Sequence, residues 1–231
     1  MNGNCGGLKT EKSIYEYRGG IFDLDGTLID SMHVWDHLCR DWLLSKGKNP
    51  AADLERDLAP MTLTQSAGYM SRRYGIDLAP EEMIRQWEGA ALWYYKNTIP
   101  LKKETADLVR KLYGAGLKLA VVTSCFPAAC EAVLKRHDLG PFFSAVLYTD
   151  EAPRDKSFPD IWIAAAERLG LESSRCIVFE DTYHALRGAR AAGMAFAAVY
   201  DDTCKEWELM RAEADWVFGP RETREVKNET A

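Results

Sequence analysis

Ile21-Phe22-Asp23-Leu24-Asp25-Gly26-Thr27-Leu28-Ile29-Asp30-Ser31 is the stretch whose reading decides the fold. A short apolar run led by Gly20 stops at Asp23, as a buried strand does when it reaches a sheet edge. A second acid follows at Asp25. Two acids at i and i+2 on an irregular turn can face one cavity, and Gly26 gives that turn backbone freedom. One carboxylate can then attack phosphorus while the other handles a leaving-group proton. An isolated D-x-D pair fits an acidic helix cap equally well; the full string does not.

Working outward, the pattern repeats. Leu117 to Val122 leads into Thr123-Ser124, Phe142 to Tyr148 into Thr149-Asp150, and Cys176 to Phe179 into Glu180-Asp181. Ala195 to Tyr200 leads into Asp201-Asp202, and Asp215 to Phe218 makes a sixth strand. Helical stretches fit between these runs at 102–115, 127–137, 159–169, 182–192 and 203–212, with Gly116, Gly140, Gly170 and Gly193 where helices should stop. Alternation of strand and helix predicts an α/β fold, a doubly wound parallel sheet with helices on both faces.

One segment breaks the rhythm. Residues 31–97 show helical spacing, as in Met83, Trp87, Ala90, Ala91 and Tyr94, and less cleanly in Val34, Leu38, Asp41 and Trp42. Pro50, Pro60, Pro80 and Pro100 punctuate the segment. It reads as an α-helical insertion placed directly after the first strand. The expected division is a core domain of 19–30 and 98–220, a helical domain of 31–97, and polar, loose termini at 1–18 and 221–231.

Composition agrees with a globular chain: of 231 residues, 47% are apolar and 28% charged. A net charge of −6 without a basic stripe argues against nucleic acid, whose affinity rests on neutralised phosphates. No apolar run approaches the roughly 20 residues of a membrane helix. The six cysteines are scattered without a C-x-x-C pair, which predicts reduced thiols in the cytoplasm. No feature suggests a dedicated interface, so a monomer is expected.

In an open parallel sheet, ligands bind beyond the carboxyl ends of the strands. Those ends carry Asp23, Asp25, Thr123, Ser124, Asp150, Glu180 and Asp181. Converging carboxylates cannot all stay ionised unless positive charge sits among them. Lys156 is one candidate, and a hard divalent cation with oxygen ligands is the other, Mg²⁺ where phosphate is also present.

Four motifs in order and spacing resemble the haloacid dehalogenase-like superfamily: Asp23-Leu24-Asp25-Gly26-Thr27, Thr123 after its strand, Lys156 in Lys156-Ser157-Phe158-Pro159-Asp160, and Glu180-Asp181 before Ala191-Ala192-Gly193. The insertion between the first two resembles the helical cap of the β-phosphoglucomutase and small-phosphatase branch. The resemblance implies a Mg²⁺-dependent phosphatase acting on a small organic phosphate ester, with a sugar phosphate expected. Asp23 would be the nucleophile, giving a phospho-aspartate. Asp25 would act as general acid and base and offer the metal its backbone carbonyl. Thr123 and Ser124 would bind the phosphoryl oxygens, and Lys156 would neutralise their charge. Asp23, Asp181 and Glu180 would hold the metal, Glu180 directly or through water.

Departures from the family pattern matter. Ser157 replaces a proline after Lys156, which would loosen the lysine, and Asp155 is placed to compete for it. Ala185 stands where a glycine is usual, and Phe126 where the mutases have a lysine. Trp35 occupies the position of the mutases' histidine, and residues 58–65 lack the basic residues that grip a second phosphate. Phosphatase is therefore favoured over mutase, and the second Asp argues against dehalogenation. Trp35 is a candidate floor for a sugar ring. Trp42, Trp87 and Trp93 are expected in the cap core. His184 is expected as a surface or packing residue, and Cys125 as a small buried hydrophobe.

Overall fold

The structure, a computed structural model, describes residues 13–58, 61 and 63–219. The expected loose ends thus lie outside the described residues, except for 13–18. Those six are ordered: Ser13 caps a 3-10 turn over Ile14–Glu16, and Tyr17 is buried edge-on against Trp216.

Six strands form one parallel sheet: β1 (Gly19–Phe22), β2 (Lys118–Thr123), β3 (Phe143–Tyr148), β4 (Cys176–Glu180), β5 (Ala195–Val199) and β6 (Trp216–Phe218). Their order is β3-β2-β1-β4-β5-β6, all parallel. The chain winds outward from β1 to β3, then crosses to β4 on the other side. β1 is therefore central, and the winding reverses beside it, where ligands bind in such sheets.

The strands read as nearly continuous apolar runs because both faces are covered. Alternate residues divide cleanly between two cores. Phe22, Leu119, Val121, Ile177 and Phe179 face one, Ile21, Ala120, Val122, Val178 and Phe196 the other. α5 (Lys103–Gly114) and α6 (Pro127–Arg136) cover the first face; α7 (Asp160–Leu169), α8 (Tyr183–Ala191) and α9 (Trp207–Glu213) cover the second. Phe22 and Phe179 stack with ring centroids 4.2 Å apart, tying β1 to β4.

Among the described residues, four helices lie between β1 and α5: α1 (Met32–Ser45), α2 (Leu54–Leu58), α3 (Leu63–Tyr74) and α4 (Pro80–Asn97). Their apolar stripes join the first core. On α4 the buried stripe is Met83, Trp87, Ala91 and Tyr95, one residue every four. Trp42 and Trp87 meet edge-on at 5.7 Å in this core. Trp93, expected beside them, is instead 57% exposed. It lies two residues from both Ala91 and Tyr95, which on a helix is the opposite side.

Two other expectations shift. The last helix starts at Trp207, not 203, because the Asp201 carboxylate accepts from Thr203 N at 3.0 Å and Oγ1 at 2.6 Å, a local turn that competes with helix. After α6 the left-handed residue is Asp138 (φ 54°), and Gly140 opens a 3-10 turn instead. Among the described residues, no helix is long and apolar enough to cross a membrane.

α7 and α8 fix the loop that carries Lys156. Trp162 Nε1 on α7 donates to the Lys156 carbonyl at 2.9 Å. A Cβ at Gly188 on α8 would lie 2.0 Å from that same oxygen, so only glycine fits. Gly89 on α4 has nothing within 4 Å of its would-be Cβ. Gly188→Ala is expected to destabilise by about 1–3 kcal/mol through overpacking. Gly89→Ala is expected to stabilise by about 0.5–1 kcal/mol through backbone entropy. Denaturant midpoints at unchanged slope check both.

Candidate active site

The carboxyl ends of β1, β2 and β4 lie side by side. Phe22 pairs with Val121 and with Phe179, so Asp23 emerges between Val122 and Glu180. Asp23 N–H donates to the Phe179 carbonyl at 3.0 Å, extending the ladder by one residue before the chain turns. The turn then folds back on Leu24, whose carbonyl accepts from Leu28 at 2.9 Å and Ile29 at 3.0 Å.

Gly26 sits in this turn at φ +81°. Its would-be Cβ would lie 2.4 Å from Asp181 Oδ2. Conformation and space both demand glycine, because the turn passes directly over the Asp181 carboxylate. Thr27 Oγ1 donates to Asp181 Oδ1 at 2.8 Å and holds it there.

Asp23, Glu180 and Asp181 are all buried, with carboxylate oxygens within 4.8 Å of one another. The Lys156 ammonium, buried with them, bonds Asp23 Oδ1 and, at 3.1 Å, Glu180 Oε1. Glu180 Oε2 accepts from Thr182 N–H and, at 2.6 Å, from Thr182 Oγ1. Burial pushes the Asp23 carboxyl up to about 7 against the pull of Lys156, with Glu180 and Asp25 adding to the rise. Burial together with the charges of Glu180 and Asp23 raises Asp181 well above the usual carboxylate range. Burial alone would lower the Lys156 ammonium, but Asp23 and Glu180 outweigh it and raise it.

Three buried carboxylates thus share one ammonium. The negative excess and the all-oxygen donor set suit a hard divalent cation such as Mg²⁺. The raised Asp23 and Asp181 express the charge that such an ion would compensate. Asp25 sends its carboxylate elsewhere. Its Oδ1 accepts from Ser31 Oγ at 2.6 Å and from the Tyr95 hydroxyl of α4. A carboxylate of the sheet turn is therefore held by a tyrosine of the helical insertion.

Thr123 ends β2 fully buried, and its Oγ1 accepts from Cys125 N–H at 2.9 Å, which orients the hydroxyl. Ser124 is exposed and lies 3.3 Å from Thr149 Oγ1. Cys125 is buried, and burial pushes its thiol up, away from reactivity. Trp35 lies in α1, and its side chain falls outside the described residues. Asp155 does not compete for Lys156: its Oδ1 accepts from Ser157 N–H at 2.8 Å and from the Ser157 hydroxyl, capping the turn where proline was expected. His184 is exposed, in the wall of a cavity that Lys156 also borders.

Three contributors escape a reading of the sequence. Tyr95 is one; the apolar spacing points to its neighbour Tyr94. Gly188 is another, since only α8 packing on the Lys156 loop reveals it. Lys102 is the third. Its ammonium bonds the Gly26 carbonyl, the Tyr200 carbonyl at 2.8 Å and Asp201 at 2.6 Å, tying the turn to the end of β5. A lone lysine ahead of a helix carries no signal of that reach.

Residues 20–199 match the family described as haloacid dehalogenase-like hydrolase. Fructose-1-phosphate phosphatase YqaB of Escherichia coli (strain K12) is 30% identical over 189 residues, 78% of this chain and 96% of that protein. Hexitol phosphatase B of the same organism is 26% identical over 179 residues, 75% of this chain and 79% of the relative. CbbY from Rhodobacter sphaeroides, solved in complex with phosphate, has the same fold, with a TM-score of 0.75 at 22% identity, covering 87% of this chain and 93% of that one. With a family match that spans β1 to β5, the insertion and the acids gathered beyond β1 and β4, the chain belongs to the haloacid dehalogenase-like hydrolases.

Proposed function

We propose that this hydrolase is a Mg²⁺-dependent phosphatase for a small phosphate monoester of sugar type, acting through a phosphorylated Asp23. The observation that carries the reading is the buried Lys156 bound to Asp23 and Glu180 beside Asp181. The names of the relatives, a fructose-1-phosphate phosphatase and a hexitol phosphatase, support the substrate class. Trp35 in place of the mutases' histidine supports hydrolysis over isomerisation.

In this reading an Asp23 carboxylate oxygen attacks phosphorus and the ester P–O bond breaks. The leaving alkoxide takes a proton from Asp25. Water then attacks the acyl phosphate, Asp25 takes its proton, and Asp23 is regenerated. Dividing the transfer this way replaces one difficult step by two easier ones. Asp23 must be ionised while Asp25 starts protonated, so the two need different surroundings. Asp23 faces the Lys156 ammonium, which favours its ionised form, and the Ser31 and Tyr95 hydroxyls hold the Asp25 carboxyl apart from it. Lys156, the Thr123 hydroxyl and the Ser124 N–H would stabilise charge on the phosphoryl oxygens, usually the largest catalytic contribution. Asp23, Asp181, Glu180 and the Asp25 carbonyl would hold Mg²⁺, which would supply positive charge to neutralise the phosphate.

Residues 31–97 would act as a cap over a core of 19–30 and 98–220. The two connecting segments run together, with Asp30 N–H to the Pro100 carbonyl at 3.0 Å and Lys102 N–H to the Leu28 carbonyl at 2.9 Å, an arrangement suited to a hinge. The scattered free thiols support a reducing compartment, the cytoplasm.

The protein is expected to hydrolyse p-nitrophenyl phosphate with Mg²⁺, and Asp23→Asn to lower kcat by about three orders of magnitude or more. Sugar-phosphate isomerisation without phosphate release would instead identify a mutase. A second expectation concerns pH. Asp23 and Asp181 bind protons more tightly folded than unfolded, so the metal-free protein loses stability as pH rises from 3.8 towards about 7 for Asp23. A cation offsets that loss once the protons have left. Mg²⁺ should therefore raise Tm more at about pH 8 than at about pH 5, where protons compete with it. Asp181→Asn should remove most of the rise, read by calorimetry.

A further inference from the structure

A cavity of about 290 Å³ opens beside Thr123, with walls from both the insertion and the sheet. Leu63 of α3 and Glu88 of α4 line one side; Ser124, Phe126, Tyr148 and Asp150 line the other. At about 30 Å³ per water it has room for roughly ten water-sized groups, the size of a five- or six-carbon polyol. No lysine, arginine or histidine occurs among the described residues that line it.

The lining has a definite chemistry. Ionised carboxylates only accept hydrogen bonds, and hydroxyls of Thr123 and Ser124 both donate and accept. Phe126 and Tyr148 offer apolar faces to C–H groups. A chain or ring of hydroxyls on carbon satisfies both. A second phosphate or a carboxylate brings like charge to Glu88 and Asp150 with no cation to offset it.

We propose that this cavity binds a neutral, polyhydroxylated leaving group, and that Glu88 and Asp150 discriminate against substrates carrying a second anionic group. The inference rests on the phosphatase reading for the direction in which the ester lies, phosphate towards Thr123 and leaving group outward. An adjoining cavity of about 330 Å³ does carry Arg154, Lys156 and His184. Lys156 is held by Asp23 and Glu180, and Arg154 pairs with Asp160 at 2.8 Å while lying over the Phe158 ring. Asp150 borders both cavities, so an anion reaching for those cations passes a carboxylate.

The test compares fructose-1-phosphate with its bisphosphate on this protein. The monoester is expected to have the higher kcat/KM, by about tenfold or more. Glu88→Lys should lower that ratio by at least about tenfold, and Asp150→Asn, nearly isosteric, should lower it in the same direction. Both esters share the phosphoryl chemistry, so a general loss of activity cancels from the ratio. A wild-type ratio at or below unity overturns the assignment, as does a ratio that both variants leave unmoved. If neither ester is hydrolysed, p-nitrophenyl phosphate turnover decides the phosphatase reading, and calorimetric binding of the two esters decides the subsite separately. Tighter binding of the monoester upholds it; equal or reversed affinity removes it.

Discussion

A buried ammonium set among three buried carboxylates is the interaction on which the rest depends. Lys156 reaches Asp23 and Glu180 from a loop far along the chain, and none of these groups can shed its charge into water. Removing one partner of such a pair leaves an uncompensated charge, typically worth about 3–5 kcal/mol. The surrounding architecture keeps that arrangement in place. Trp162 and the absent side chain of Gly188 pin the Lys156 backbone, and Thr182 holds the far oxygen of Glu180.

The acidic excess at this spot is a device rather than a defect. Two of the carboxyls sit above their ordinary range because burial and mutual repulsion outweigh the single lysine. Sites that retain such strain are commonly functional, since structure alone gives no reason to assemble them. Topology brings them together cheaply. β1 is central, β2 and β4 flank it in register, and each delivers its acid or hydroxyl at the same edge.

The helical insertion contacts the sheet turn directly. Tyr95, buried on α4, donates to Asp25 in the turn below. Its ring lies 6.3 Å from Phe126, which follows the strand end that carries Thr123. The helical layer thus touches the two carboxylates' turn and the second strand end at once. Seating of that layer and the orientation of Asp25 are therefore physically linked.

The sequence by itself determined much. Six apolar runs, five of them ending in acids or hydroxyls, separated by helical spacing, required a parallel sheet, because strands this apolar must be covered on both faces. The same ends named Asp23, Asp25, Thr123, Glu180 and Asp181, since period and position are local properties of the chain. Tertiary structure decided what depends on contact across it. That Tyr95 reaches Asp25, that Gly188 must lack a side chain, and that Lys102 ties the first turn to β5 all follow from packing between segments distant in sequence. No local pattern encodes those contacts, because each depends on where another segment has already come to rest.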